Sequence, residues 1–265
     1  MPRNRQPLDD AGKSLDELQA LAEQLNLTTL RDLFPDLLAR AEQAELSYTA
    51  FALDLLRAER EARLSRRLKR NLRRSRLPAV VEGLESFDFS IRPQLEARVV
   101  KELLNCRWVE DQGRNIICVG RPGLGKTRVL DALARAACLQ GYTVLKTNTA
   151  ELLEDLHASL ADGTFKRAFR RYEKVDVIAG AVFGFAPFDT AATGYLFRLV
   201  SARHRKRSIL LAANTGFKHW KSFFPTEAQA VATVDRLIDR ATILRFSGKG
   251  CRAPKDIYGA ESDDA

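Results

Sequence analysis

The sequence is poor in the residues that build metal sites and disulfide frameworks. It has four cysteines, none of them in a C-x-x-C pair, and three histidines that are not spaced as ligands. These absences argue against a zinc site and predict free thiols in a reducing compartment. No run approaches the ~18 apolar residues of a membrane span, and residues 1–6 lack the apolar segment of a secretory signal. We therefore expect a soluble, cytoplasmic protein without a membrane partner.

Acidic residues are outnumbered by basic ones, and this imbalance favours an anionic partner. The chain has 265 residues, with 43 Lys and Arg against 34 Asp and Glu and a formal net charge of +9. Its length suits one large domain, or a medium domain with a smaller one attached. Hydrophobic residues make up 45% of the chain, which is enough to bury a substantial core.

The most specific motif is a phosphate-binding loop, Gly120-Arg-Pro-Gly-Leu-Gly-Lys-Thr127, which fits G-x-x-x-x-G-K-[ST]. The apolar run 115–119 before it predicts a buried strand, and residues 128–134 after it predict a helix. In such loops backbone N–H groups surround the phosphates of a nucleotide such as ATP, the lysine reaches the β- and γ-phosphates, and the hydroxyl of Thr127 binds Mg²⁺. The residues predicted to bind the cofactor are Gly120, Arg121, Pro122, Gly123, Leu124, Gly125, Lys126, Thr127 and Arg128.

Strand and helix patterns alternate after this loop, which predicts an α/β fold with a parallel sheet flanked by helices. Further strands are predicted at 142–146, 175–182 and 208–213, with helices at 151–160, 166–172 and 191–201. The N-terminal third predicts a small α-helical module instead, in which Ser14 and Ser47 are expected as helix N-caps. The predicted organisation is a helical module at 1–80, a connector at 81–93 and a nucleotide-binding domain at 94–265.

A basic helix is predicted at the end of the N-terminal module, over residues 57–76. Its cations are Arg57, Arg60, Arg63, Arg66, Arg67, Lys69, Arg70, Arg73, Arg74 and Arg76. Only two acidic residues interrupt them, whereas a solvated helix face normally mixes the two signs. We therefore predict that these residues contact the nucleic-acid backbone, where cations release counterions from phosphates. An acidic protein surface and a simple solvated face are the alternatives.

Across nearly its whole length the chain resembles the IstB-like helper ATPases of bacterial insertion sequences, which are similar to replicative helicase loaders of the DnaC type. The segments that carry the resemblance are the phosphate-binding loop, the basic helix, Phe87-Asp-Phe89, and residues 184–189, 213–220, 234–237 and 248–252. The resemblance implies an AAA+ P-loop fold and ATP-dependent assembly on double-stranded DNA as a ring or spiral of identical subunits. It also implies assistance to a transposase.

The resemblance assigns roles to three residues of the catalytic site. Asn214 corresponds to the sensor-1 polar residue, which faces the γ-phosphate or the attacking water, although a turn asparagine would also suit this position. Arg236 corresponds to the residue offered to a neighbouring subunit's nucleotide, with a surface helix arginine as the alternative. Arg252 corresponds to the sensor-2 position.

The chain departs from the family at the end of its third predicted strand. Family members carry two acids there, the Walker B pair that holds Mg²⁺ through water and polarises the nucleophile, but Ala181 and Val182 occupy these positions. Asp176 begins the strand and, at ~3.3 Å per residue, lies roughly 16 Å from the phosphate end. Asp189 is expected to cap the next helix, and Gly180 to weaken the strand. We therefore expect ATP binding with impaired hydrolysis; a helicase loader and a non-hydrolysing nucleotide-binding scaffold are the alternatives.

Overall fold

The computed structural model of the protein describes residues 8–183 and 190–248. The chain divides into two compact units, the first ending at Lys69 and the second beginning at Arg70. The sequence pattern places the boundary near residue 80, after the basic helix. The structure instead puts the C-terminal end of that helix in the second unit.

The first unit is helical. Its helices are α1 (Leu8–Gln24), α2 (Thr28–Gln43) and α3 (Tyr48–Arg74), the last of which extends into the second unit. Ala22, Leu30 and Phe34 form its small buried core. The Oγ of Ser47 accepts a 3.2 Å hydrogen bond from the N–H of Ala50, which confirms the predicted cap. The cap predicted at Ser14 is wrong, because α1 already begins at Leu8 and Ser14 lies inside it.

The second unit is built on a five-stranded parallel sheet with the order β2-β3-β4-β1-β5. The alternating pattern predicts the parallel sheet and the first four of these strands. Its strands are β1 (Ile116–Gly120), β2 (Val144–Lys146), β3 (Val177–Phe183), β4 (Ser208–Ala213) and β5 (Thr242–Phe246). Every residue of β4 is buried, as expected of a strand covered on both faces. This order brings the carboxyl ends of β3, β4 and β1 to one edge, next to one another.

Helices cover both faces of the sheet. They are α4 (Ala97–Leu103), α5 (Arg107–Glu110), α6 (Lys126–Leu139), α7 (Thr149–Ala161), α8 (Phe165–Lys174), α9 (Thr190–Arg203), a 3-10 helix (Phe217–Phe223) and α10 (Glu227–Ile238). Apolar residues of α6 such as Leu133 pack on one face with Cys118. Leu156 of α7 and Leu199 of α9 pack on the other face with Ile117. The phosphate-binding loop therefore connects a central strand to a helix anchored in the core.

The third strand is irregular at the position where the sequence predicts weakness. Gly180 has φ +85° and lies between two residues, Ala179 and Ala181, that pair with consecutive residues of β4. It is therefore the extra residue of a β-bulge, a conformation that glycine adopts without steric cost. The strand continues past the bulge to Phe183, and its last residues remain in register with β4.

Three of the cysteines lie in the core as free thiols, as predicted. Burial raises the pKa of Cys106 and of Cys138 to about 11, and it raises that of Cys118 as well. These thiols are therefore protonated and unreactive at neutral pH. Cys251 lies outside the described residues. Within the described ranges, no cluster of His, Cys, Asp and Glu suits a metal ion, and no helix is long and apolar enough to cross a membrane.

Candidate functional site

The phosphate-binding loop joins the end of β1 to the start of α6, as its motif predicts. Gly123 and Gly125 have φ angles of +80° and +89°, which side chains rarely tolerate. A Cβ atom on Gly125 would lie 2.7 Å from Cε2 of Phe87, so this position also lacks space for a side chain. The N-terminus of α6, which begins at Lys126, opens directly into the loop. Its unpaired N–H groups and helix dipole suit an anion.

Lys126 is folded into the loop. Its Nζ donates hydrogen bonds to the carbonyl oxygens of Gly120, at 2.6 Å, and Arg121, at 2.8 Å. The residue is only 6% exposed, and this burial lowers the pKa of its ammonium group. The ammonium is therefore held at the centre of the loop, where it can exchange carbonyl oxygens for phosphate oxygens.

The remaining residues of the phosphate-binding loop differ in how far they are exposed to solvent. Arg121, Pro122 and Thr127 are exposed, whereas Leu124 is buried. Arg128 binds elsewhere: its guanidinium donates to the carbonyl oxygen of Gly83 at 2.7 Å and forms a 3.1 Å ion pair with Glu82. Arg128 therefore fixes α6 to the predicted connector.

Two residues of the predicted connector (81–93), Phe87 and Arg92, contact the phosphate-binding loop. Arg92 is 1% exposed, and its Nε donates a 3.0 Å hydrogen bond to the carbonyl oxygen of Leu124. Phe87 fills the space beside Gly125 and makes an edge-to-face contact with Phe89. The sequence shows the aromatic pair but not the support it gives the loop, because the contact joins segments more than thirty residues apart.

Asn214 lies at the same edge of the sheet as the loop. It follows directly after β4, whose last residue, Ala213, is aligned with Val119 of β1 and with Phe183 of β3. Asn214 is partly exposed. The structure therefore brings this residue to the sheet edge where β1 enters the phosphate-binding loop, as a sensor-1 role would need.

The carboxyl end of β3 offers no carboxylate to this edge. Ala181 and Val182 are aligned with Leu211 and Ala212 of β4, near the end of the strand. Asp176 precedes the strand at its opposite end, where it accepts hydrogen bonds from the N–H and hydroxyl of Thr143. Burial opposes ionisation of Asp176, but bonds from Thr143 and Arg207 outweigh it and lower its pKa.

Asp131, one turn beyond Thr127 on α6, is also engaged. Its carboxylate forms a 2.7 Å ion pair with Nζ of Lys146. Neither Asp176 nor Asp131 is therefore placed to replace a strand-end acid, because the first lies at the wrong end of β3 and the second is paired.

Arg236 packs against its own unit. It lies on α10, where its Nη1 donates a 2.7 Å hydrogen bond to the carbonyl oxygen of Ala232 and its guanidinium lies 4.9 Å from the ring centre of Phe197. The side chain is half-buried. The structure therefore does not bring Arg236 together with the loop of its own chain. Arg252 and Asp189 lie outside the described residues.

Comparison with known proteins agrees with this loop and sheet. The sequence model of the family described as IstB-like ATP binding protein matches residues 20–257. The chain belongs to this family. It is 32% identical over 236 residues to the insertion sequence IS21 putative ATP-binding protein of Pseudomonas aeruginosa, covering 89% of this chain and 88% of that protein. It is 31% identical to a putative insertion sequence ATP-binding protein of Sinorhizobium fredii, covering 89% of this chain and 78% of that protein.

Solved structures show the same AAA+ P-loop fold as this IstB-like chain. AMPPCP-bound DnaA from Aquifex aeolicus is 19% identical, with a TM-score of 0.53 over 65% of this chain and 51% of that one. The replication initiator DnaA bound to AMPPCP and single-stranded DNA has a TM-score of 0.52, 18% identity, and coverage of 66% and 52%. The chain spans about half the length of these two proteins, and at this identity the likeness concerns the fold alone.

Some cations of the basic helix of this IstB-like chain are engaged in contacts within the protein. Glu59 is buried, and its Oε1 pairs with Nε of Arg63 at 2.8 Å and with Nη2 of Arg66 at 3.0 Å. Hydrogen bonds from these two arginines to Asn26 and Thr28 fix α3 to the start of α2. Arg63 and Arg66 therefore hold the helical unit together. The exposed cations outside this pairing include Arg60, Lys69, Arg70, Arg73, Arg74 and Arg76.

Proposed function

We propose that the protein is a cytoplasmic, ATP-binding helper of transposition that assembles on double-stranded DNA and assists a transposase. The observation that carries this proposal is the buried ammonium of Lys126 at the centre of a phosphate-binding loop, in a chain of the IstB-like family. Two relatives are named as ATP-binding proteins of insertion sequences, which supports the link to transposition.

The residues of the loop fit the phosphates of ATP. Its left-handed glycines keep the loop open for phosphate oxygens, and Lys126 supplies a cation. Thr127 is exposed, and its hydroxyl would bind Mg²⁺, whose role is to neutralise charge on the phosphates. Asn214 would orient the nucleophile near the γ-phosphate.

We expect Lys126→Ala to weaken ATP binding strongly while the fold survives. The substitution removes the cation that faces the β- and γ-phosphates and leaves the loop backbone in place. Hydrogen bonds from a charged donor are worth about 1.5–3 kcal/mol, so their loss should lower the affinity for ATP by about 10- to 100-fold. A fluorescent-ATP titration measures this, with the exposed Lys101→Ala as control. Equal affinity in the two variants would contradict the assignment of the loop.

We expect the exposed cations of α3 to contact DNA. Reversing Arg60, Arg70 and Arg73 to Glu should weaken duplex binding at low salt and flatten the dependence of affinity on salt, because fewer counterions are released. The variant avoids Arg66, whose loss would disturb the pairing with Glu59. A matched control reverses three exposed cations of other elements, Lys101, Arg107 and Arg245. If the two triple variants share one salt slope, α3 is not the contact.

We further propose that ATP and DNA drive assembly with Arg236 facing a neighbour's nucleotide. An isologous dimer would not place this residue correctly, so a ring or open spiral is needed. Light scattering with ATP and DNA should show large assemblies for the unmodified protein and smaller ones for Arg236→Ala. Monomers alone under these conditions would contradict the proposal.

A second candidate function is supported by the missing strand-end acids. A chain with Ala181 and Val182 at the end of β3 could act as a scaffold that binds nucleotide and oligomerises without turnover. A measured ATP turnover rate separates this scaffold from an active ATPase. A transposase reading frame next to the gene would separate a transposition helper from a helicase loader.

A further inference from the structure

A cavity of about 480 Å³ opens at the β2 edge of the sheet, wholly within the second unit. The edge strand β2 forms its floor, and two segments form its walls. One wall is the end of α3 with the turn that follows, including Arg74 and Arg76. The other wall is the last turn of α8, including Arg171 and Lys174. The phosphate-binding loop contributes no residue to this lining.

The wall formed by α3 is fixed to the sheet. The carbonyl oxygen of Ser75 accepts a 2.6 Å hydrogen bond from the N–H of Lys146 in β2, and Ser75 is fully buried. Nδ2 of Asn71 donates to the carbonyl oxygen of Gly141 at 3.2 Å. Arg76 follows in a left-handed conformation, with φ +59°. The two arginines on this wall therefore project from a backbone that is held in place on both sides.

The lining of the cavity is cationic on its walls and aliphatic on its floor. Arg74, Arg76 and Lys174 are exposed, and the cavity lining, taken over the described part of the chain, includes no Asp or Glu. Arg171 is partly compensated by a 2.9 Å ion pair with Asp155. Val144 and Leu145 line the floor but are buried, and the half-buried Val175 adds accessible apolar surface. A ligand that fits must therefore carry negative charge at its sides and an apolar part between them.

We propose that this cavity binds the sugar–phosphate backbone of DNA. Phosphates would pair with Arg74, Arg76 and Lys174, and deoxyribose would pack on the apolar surface between them. This inference rests on the proposed DNA binding and adds a contact on the nucleotide-binding unit, from α8, to the contact predicted on α3.

Two other roles for these cations are less well supported by the structure. Basic side chains in the last turn of α3 and of α8 also stabilise the helix dipoles, but that role does not require them to converge on one cavity. An acidic protein segment would offer carboxylates to the walls. The alternation of charge and aliphatic surface matches phosphate and deoxyribose more closely.

The test compares two charge-neutralised variants of the full chain. The cavity variant carries Arg74→Gln and Lys174→Gln. The control variant carries Lys101→Gln and Arg245→Gln, two exposed cations of α4 and of β5, which lies at the opposite edge of the sheet. The affinity for a fluorescein-labelled duplex of mixed sequence is measured by anisotropy at several salt concentrations. Competition with polyglutamate is measured for each protein.

If the cavity holds two phosphates, the cavity variant should show a salt slope shallower by about 1.8 than the unmodified protein, while the control keeps its slope. Equal slopes for the two variants would overturn the inference and leave the proposed function intact. A cavity variant that loses polyglutamate binding but keeps DNA binding would overturn it in favour of an acidic protein partner. Absence of DNA binding by the unmodified protein would overturn the proposed function and this inference together.

Discussion

Replacing Ala181 with Asp and Val182 with Glu should raise steady-state ATP turnover by about 10²–10⁴-fold in the presence of DNA. Phosphoryl transfer needs an ordered metal and an oriented water, and a positioned acid or base is typically worth this factor. The backbone places both residues near the end of β3, in register with Leu211 and Ala212. Since these groups act mainly in the transition state, ATP affinity should change far less than the rate.

The matched control for this gain is Ala181→Asn with Val182→Gln, which has nearly the same shape without the charge. It should release phosphate as slowly as the unmodified protein. Brisk turnover by the unmodified protein would mean that another carboxylate does the chemistry. An acidic variant that binds ATP but stays inactive would indicate that the bulge at Gly180 displaces the strand end from the metal.

Arg203→Met should destabilise the second unit by about 3–5 kcal/mol, since it leaves buried acceptors without a donor. Arg203 is 1% exposed at the end of α9. Its guanidinium donates to five carbonyl oxygens, those of Tyr172, Glu173, Val175, Asp176 and Ser208. These bonds join the end of α8 and the start of β3 to the start of β4. Equilibrium unfolding in urea measures the loss.

Arg198→Met is the control for Arg203, because it lies on the same helix but is exposed and contacts the rings of Phe165 and Phe169. An exposed contact of a cation with an aromatic ring is worth about 0.5–1 kcal/mol. The Arg203 variant should therefore unfold at a clearly lower urea concentration. Equal midpoints would show that water replaces the lost donor at no cost.

The sequence predicts the parts of the fold whose signal is local. The run 208–213 is apolar after its first residue and matches β4 residue for residue, and the glycine loop correctly places β1 and α6. The strand β5 is not predicted, because Thr242–Phe246 is short and its exposed Ile243 breaks the alternation of apolar and polar residues in the sequence. The role of Arg203 is also hidden, since it stands in a run of basic residues that resembles solvated surface.

The residues of the nucleotide site also differ in whether the sequence alone predicts their role. Its phosphate-binding residues form one contiguous motif and can be read directly, whereas its support by Arg92 and Phe87 depends on contacts between distant segments. The basic helix looks uniform in the sequence. Only the structure separates Arg63 and Arg66, which pair with the buried Glu59, from the remaining exposed cations.

The position of Lys126 implies that the loop contains its own competitor for the nucleotide. A ligand must draw the ammonium away from the carbonyl oxygens of Gly120 and Arg121, so it gains only the difference between the two sets of bonds. A nucleoside without phosphates gains nothing from this exchange. A ligand whose anionic oxygens bind the ammonium gains affinity, and each further oxygen that binds it raises that affinity. The bond that the protein makes with itself therefore sets a minimum strength of interaction, which a di- or triphosphate would exceed more easily than a ligand with fewer anionic oxygens.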